Sequence, residues 1–141
     1  MQESIDLRAA KDTMRLVVKQ ASSAAEIEAA MRLRFEFFNI ELNEGLQSSY
    51  QDGLDRDEYD AHCDHIIVVD GRTADVVGTY RLLLGSRADN GIGCYAETLF
   101  NLEAFRNLEC EKLEIGRACI HRRENSWPCI LVNVSETVWP R

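Results

Sequence analysis

A chain of 141 residues, 45% hydrophobic and 28% charged, has the size and composition of one globular domain with a sizeable core. Its net charge is −8, from 24 acidic and 16 basic residues, and without a basic stripe it is not expected to bind nucleic acid. The five cysteines (Cys63, Cys94, Cys110, Cys119 and Cys129) form no Cys-x-x-Cys pair; odd in number and partly in apolar runs, they fit free thiols in a reducing cytoplasm.

The opening stretch MQESIDLRAAKD has early acids and no apolar h-region, so residues 1–13 read as a polar tail and not a signal peptide. No apolar run approaches the ~20 residues of a membrane span. Peripheral contact with a membrane stays open. The charge imbalance is local: residues 35–75 hold eleven acids against Arg56 and Arg72, whereas residues 76–141 hold eight of each sign.

MRLVVKQ (14–20) reads as a first strand. Ser23 with Glu26 three residues on is a capping-box signature and opens a helix running to about Leu42. Ile27, Met31, Arg34 and Phe38 fall on one stripe of that helix, so Arg34 lies on the apolar face and should need a carboxylate partner. Residues 43–64 are polar and acidic, long for a structureless loop, and such loops are often functional. HIIVVD (65–70) and DVVGTYRLLL (75–84) predict two strands, with Gly71-Arg72-Thr73 between them as the turn of an antiparallel hairpin. A glycine-bearing loop follows at 85–93. ETLFNLEAFRNL (97–108) has helical spacing through Leu99, Leu102, Phe105 and Arg106. A strand over 112–120 comes next. The order β-α-loop-β-β-α-β indicates a mixed α/β or α+β domain over 14–123, with 124–141 as an atypical C-terminal tail holding one apolar run, Cys129 to Val134. A domain ending this way leaves a sheet edge or face uncovered.

Within LEIGRACI (113–120), Glu114 and Arg117 interrupt an apolar strand, where an acid and an arginine are costly to bury unless paired or used. Residues three apart in a regular strand face opposite sides. The two share a face only if the strand slips by one residue, and Gly116 between them tolerates a bulge. Arg81, on the otherwise apolar strand after Gly78-Thr79-Tyr80, either faces solvent or points inward near Glu114. Asp55-Arg56-Asp57-Glu58-Tyr59-Asp60 lacks the glycine and terminal glutamate of an EF-hand loop; either it is a solvated loop with helix-capping acids, or Asp57 and Asp60 pair with arginines such as Arg34 and shape a pocket. His62-Cys63-Asp64-His65 alternates in direction on an extended segment and has no second cluster, so no metal site is expected. No Gly-x-Ser-x-Gly, phosphate loop or Gly-x-Gly-x-x-Gly is present.

Five segments taken in order carry a resemblance. They are the Arg34–Phe38–Glu41 helix, Asp57-Glu58-Tyr59-Asp60 with Cys63-Asp64-His65, Gly78-Thr79-Tyr80-Arg81-Leu82-Leu83, Tyr95-Ala96-Glu97, and Leu113-Glu114-Ile115-Gly116-Arg117. Over roughly residues 14–123 the chain resembles the ornithine N-acyltransferases of ornithine-lipid synthesis (often labelled hemolysin-like), the N-acyl amino acid synthases and, more distantly, the acyl-homoserine-lactone autoinducer synthases. All are GNAT-like acyltransferases. The resemblance implies a GNAT-type mixed, mostly antiparallel sheet flanked by helices, incomplete at the C-terminus. It implies transfer of a fatty acyl group from a thioester to the α-amine of an amino acid such as ornithine. The donor is expected to be acyl carrier protein, or else acyl-CoA, as a co-substrate, with no bound cofactor or metal. By matching position, Glu114 would take the proton from the amine, and Arg81 and Arg117 would hold it or help dock the donor. Arg34, Phe38, Asp57, Asp60 and Glu97 would shape the acceptor side. Acyl carrier protein is acidic, so docking would use a local basic patch, for which Arg117, Arg122 and Arg123 are candidates. An inactive truncated fragment acting only as a binding unit, and an autoinducer synthase using S-adenosylmethionine, are the alternatives.

Overall fold

The computed structural model describes residues 16–121. The predicted tail at 1–13, the tail at 124–141 and the run Cys129–Val134 lie outside them. Four strands form one antiparallel sheet in chain order: β1 (Leu16–Gln20), β2 (Asp64–Asp70), β3 (Val76–Leu84) and β4 (Leu113–Ile120). Helix α1 (Ala24–Arg34) lies between β1 and β2 in sequence and packs chiefly on β3. The expected mixed α/β class with a central hairpin is what forms, with the turn at 71–75 joining β2 to β3.

Alternation along the paired strands sorts the side chains. His65 and Ile67 on β2 stand opposite Arg81 and Thr79 on β3, so these four share a face. Ile66, on the reverse face, is fully buried, as is Ile67, so β2 is covered on both sides.

Ser23 caps α1 as its sequence predicts: its hydroxyl accepts the amide of Glu26 at 3.2 Å, and Glu26 reaches back to the amide of Ser22 at 2.8 Å. The helix then widens. Phe35–Glu41 is π-helical, with the Leu42 amide donating to the Phe37 carbonyl, five residues back, at 3.0 Å. Asn39 is buried in this stretch and donates to the Leu46 carbonyl at 2.8 Å, while Tyr50 donates to the Asn39 carbonyl at 3.0 Å. These bonds fix the acidic segment, which is not structureless: it contains 3-10 turns at Gln47–Gln51 and Glu58–His62. A Cβ on Gly45 would sit 2.0 Å from the Asn39 side-chain oxygen. Gly45→Ala must therefore push Asn39 off its partner and is expected to destabilise the domain by about 1–3 kcal/mol, read as a lower urea midpoint.

The helix predicted over 97–108 does not form. A 3-10 turn at Tyr95–Thr98 and a four-residue helix α3 (Glu103–Arg106) take its place, and a short helix α2 (Gly85–Asp89) occupies the start of the expected 85–93 loop. The Asn101 side chain accepts the Glu103 amide at 2.9 Å and starts a new turn in mid-segment. Leu99 and Phe105, which helped give the helical spacing, are exposed, as is Phe100, and have no core among the described residues to hold them in register. Leu113, Ile115 and Ile120 of β4 are exposed as well, and its outer edge has no strand partner among the described residues.

Candidate active site

Three arginines and three aspartates meet where the end of α1, the acidic segment, β3 and β4 converge. Arg34, the last residue of α1, grips Asp60 with both terminal nitrogens (2.7 and 3.0 Å) and donates to Asp55 at 2.8 Å. Arg81, on β3, grips Asp57 the same way (2.6 and 3.0 Å) and donates to Asp60 at 3.0 Å. Arg117, on β4, lies 3.4 Å from Asp55 and 3.9 Å from Asp57. The formal charges cancel, and the two-pronged grips are the strongest geometry for such pairs. Arg34 is 1% exposed, Asp55 0% and Arg81 5%, so the charges depend on each other.

Local sequence sets the carboxylates. Asp57 accepts the Tyr59 amide at 2.9 Å, and Asp60 accepts the Asp57 amide at 2.8 Å. This reciprocal cap of the turn at Glu58–His62 uses an aspartate where a glutamate would usually stand. Both acids keep lone pairs aimed at Arg34 and Arg81. His65 lies beneath, its Nε2 donating to the Asp60 carbonyl oxygen at 3.2 Å. Arg34 thus has the carboxylate partner its place on the helix calls for, and Arg81 faces inward, to Asp57 and Asp60.

Burial by itself pushes the Asp60 carboxyl up. Hydrogen bonds and charge from Arg34 outweigh it, with the Asp57 amide and Arg81 adding to them, and hold the group at about 2 against an ordinary 3.8. Burial likewise works against charge on Arg34 and Arg81, and their aspartates outweigh it and raise both. A carboxyl lowered on folding stabilises the folded state above its unfolded value and loses that contribution as pH falls through the folded one. The domain is therefore expected to lose about 2 kcal/mol through this group between about pH 4 and pH 2. The urea midpoint followed against pH checks this, and a flat midpoint in that window would contradict the pairing.

The bulge in β4 is present. Thr79 pairs with Cys119 and Arg81 with Gly116, so Arg117 and Ala118 together stand against Tyr80. The left-handed residue is Arg117, at φ 52°, and not Gly116, so the strain falls on an arginine. A left-handed non-glycine residue persists only where its surroundings fix it, and Phe38 helps: the Arg117 guanidinium lies 5.2 Å from its ring centre.

The bulge brings Glu114 and Arg117 to one face, as expected, but they do not pair. Glu114 accepts the backbone amides of Tyr95 (3.1 Å) and Ala96 (2.7 Å), and Arg117 turns to Asp55 and Asp57. Nor does Arg81 pair with Glu114; its terminal nitrogens turn to Asp57 and Asp60. Glu97 stands outside the network, exposed and 3.6 Å from Arg106. Asp55, at the centre of the charge network, is missing from the sequence-derived site residues. The one available signal was its position in the acidic run ahead of Asp57.

The thiols near the site are poor nucleophiles. Burial pushes Cys63 up to about 11 and Cys119 up to about 12, so both are protonated at neutral pH. No helix among the described residues is long and apolar enough to cross a membrane.

Residues 33–132, which include every member of this network, match the acetyltransferase (GNAT) domain family. The chain belongs to that family. This GNAT chain is 33% identical to a Brucella abortus (strain 2308) protein named L-ornithine N(alpha)-acyltransferase, over 74% of its own length and 40% of the relative's. Proteins of the same name from Rhodobacter capsulatus (33% identity, 74% and 42%) and Rhizobium meliloti (34%, 74% and 38%) are similar to it as well. The chain thus spans about two fifths of the length of these curated relatives. No solved structure matches it.

Proposed function

We propose that this domain is an N-acyltransferase that moves a fatty acyl group from a thioester to the α-amine of an amino acid such as ornithine, giving an N-acyl amino acid or ornithine-lipid precursor. The observation that carries the proposal is similarity to proteins named L-ornithine N(alpha)-acyltransferase over three quarters of the chain. The geometry supports it. An ammonium cannot attack a thioester until it loses a proton, and Glu114 is a carboxylate on the strand face that the bulge also gives to Arg117. Each of its oxygens accepts one backbone amide and keeps a lone pair to take that proton. The amine nitrogen then attacks the carbonyl carbon; the N–C bond forms and the C–S bond breaks. A second proton leaves the nitrogen and goes with the departing thiolate. A bulge takes a residue out of the ladder, so an amide N–H at Arg117 or Ala118 is positioned to receive the thioester oxygen.

Arg34, Asp55, Asp57 and Asp60 form the rigid floor beside this step, and Phe38 closes one side through Arg117. Acyl carrier protein is the proposed donor, with the cytoplasm as the expected location. Arg122 and Arg123, candidates for its docking, lie outside the described residues. The test is incubation of the chain with long-chain acyl carrier protein, or acyl-CoA, and a panel of amino acids, with products read by mass spectrometry. An N-acyl product from ornithine or another α-amine is expected, and turnover with acyl-CoA alone would reassign the donor.

A further inference from the structure

We propose that Arg117 is the anchor for the carboxylate of the acceptor amino acid, held in position by Asp55 and Asp57. The inference rests on the acyl-transfer reading and adds to it the group that recognises the acceptor. Of the three arginines in the network, Arg34 and Arg81 each spend three hydrogen bonds on aspartates. Among the described residues Arg117 makes none; its aspartates attract it across 3.4 and 3.9 Å. It is also the arginine of the three that reaches solvent, with a side chain 19% exposed against 1% and 6% for the others. A guanidinium has five N–H donors in a planar fork matched to a carboxylate. The guanidinium lies over the Phe38 ring, and its N–H groups, none of them in a hydrogen bond among the described residues, remain available to a ligand.

Position favours the acceptor over the donor. An α-amino acid carries its carboxylate on the carbon that bears the attacking amine, so anchor and base must be neighbours. Arg117 and Glu114 share one face of β4, on either side of Gly116, and Arg117 is the network arginine with no hydrogen bond among the described residues. Its left-handed backbone, an unfavourable conformation for an arginine, turns the side chain there. An anionic phosphate on the donor offers similar chemistry, and the experiment separates the two sources.

Initial rates are compared with ornithine and with its carboxamide, ornithinamide, for wild type, Arg117→Lys and Arg117→Gly. Glycine suits the left-handed position, so Arg117→Gly removes the anchor without adding backbone strain. The wild-type KM for ornithine is expected to lie at least about tenfold below that for ornithinamide. Arg117→Gly should bring the two within about twofold of each other while leaving the donor KM unchanged, and Arg117→Lys should restore part of the preference as a point charge. A preference that survives Arg117→Gly overturns the assignment, and so does a rise in donor KM with the preference intact, which would give Arg117 to the donor. If wild type acylates neither compound, the acyl-transfer reading fails on its own, and thermal shift then decides the anchor. Stabilisation by ornithine and not by ornithinamide, lost in Arg117→Gly, supports it; equal shifts overturn it.

Discussion

Arg34→Met is expected to destabilise the domain by about 3–5 kcal/mol, a large fraction of the stability of a domain this size. The substitution keeps the length and apolar stem of the side chain, so packing of α1 on the sheet changes little. What it removes is charge. Asp55, 0% exposed, would keep only Arg117 at 3.4 Å, and Asp60 would lose its two-pronged partner and keep Arg81. A buried carboxylate left short of partners costs far more than the pair contributes when intact. Urea unfolding followed by circular dichroism reads the effect. Arg34→Lys should recover part of the loss, since an ammonium restores the charge but not the planar fork. An Arg34→Met domain as stable as wild type would show that the network is not holding the loop to the sheet.

Glu114→Gln is expected to lower acyl transfer by roughly 10²–10⁴-fold, the usual contribution of a positioned general base. The structural effect should be much smaller. Glutamine keeps one carbonyl oxygen for the Tyr95 or Ala96 amide and loses the other bond, at a cost of about 1 kcal/mol. Rate and stability therefore separate: the rate falls by orders of magnitude while the unfolding midpoint moves slightly. Equal losses in both would mark Glu114 as a brace for the turn at Tyr95–Thr98, the role its two backbone bonds already give it. Shortening the side chain in Glu114→Asp should also slow transfer, because the carboxylate is withdrawn from the amine.

Local signals foretold much of this site. The Ser23–Glu26 cap, an arginine on the apolar stripe of α1, and an acid and an arginine flanking a glycine each have near-neighbour causes. Each reading holds: α1 starts at the cap, Arg34 finds carboxylates, and β4 bulges. Partner choice was not legible, because it depends on the acidic segment. Asp55 and Asp57 reach Arg117 since the Asn39 and Tyr50 bonds, with the Asp55 amide donating to the Met31 carbonyl at 3.0 Å, fold that segment back along the helix, and an acidic run gives no hint of such a path. Glu114 faced a similar contest. Its partners are the backbone amides of Tyr95 and Ala96, which open the 3-10 turn at Tyr95–Thr98 and so have no acceptor within it. The spacing of Leu99 and Phe105 signals a helix only if a core waits to receive them, and in the described residues both are exposed.

Thiol release and N-acyl product, quantified together when the folded chain is mixed with acyl carrier protein carrying a long-chain thioester and with ornithine, test the central claim most directly. One free thiol per N-acyl ornithine, formed at least about 10²-fold more slowly in Glu114→Gln at unchanged fold, is the expected result. A correctly folded chain that yields no N-acyl product with ornithine or any other α-amine, from either thioester donor, would contradict it.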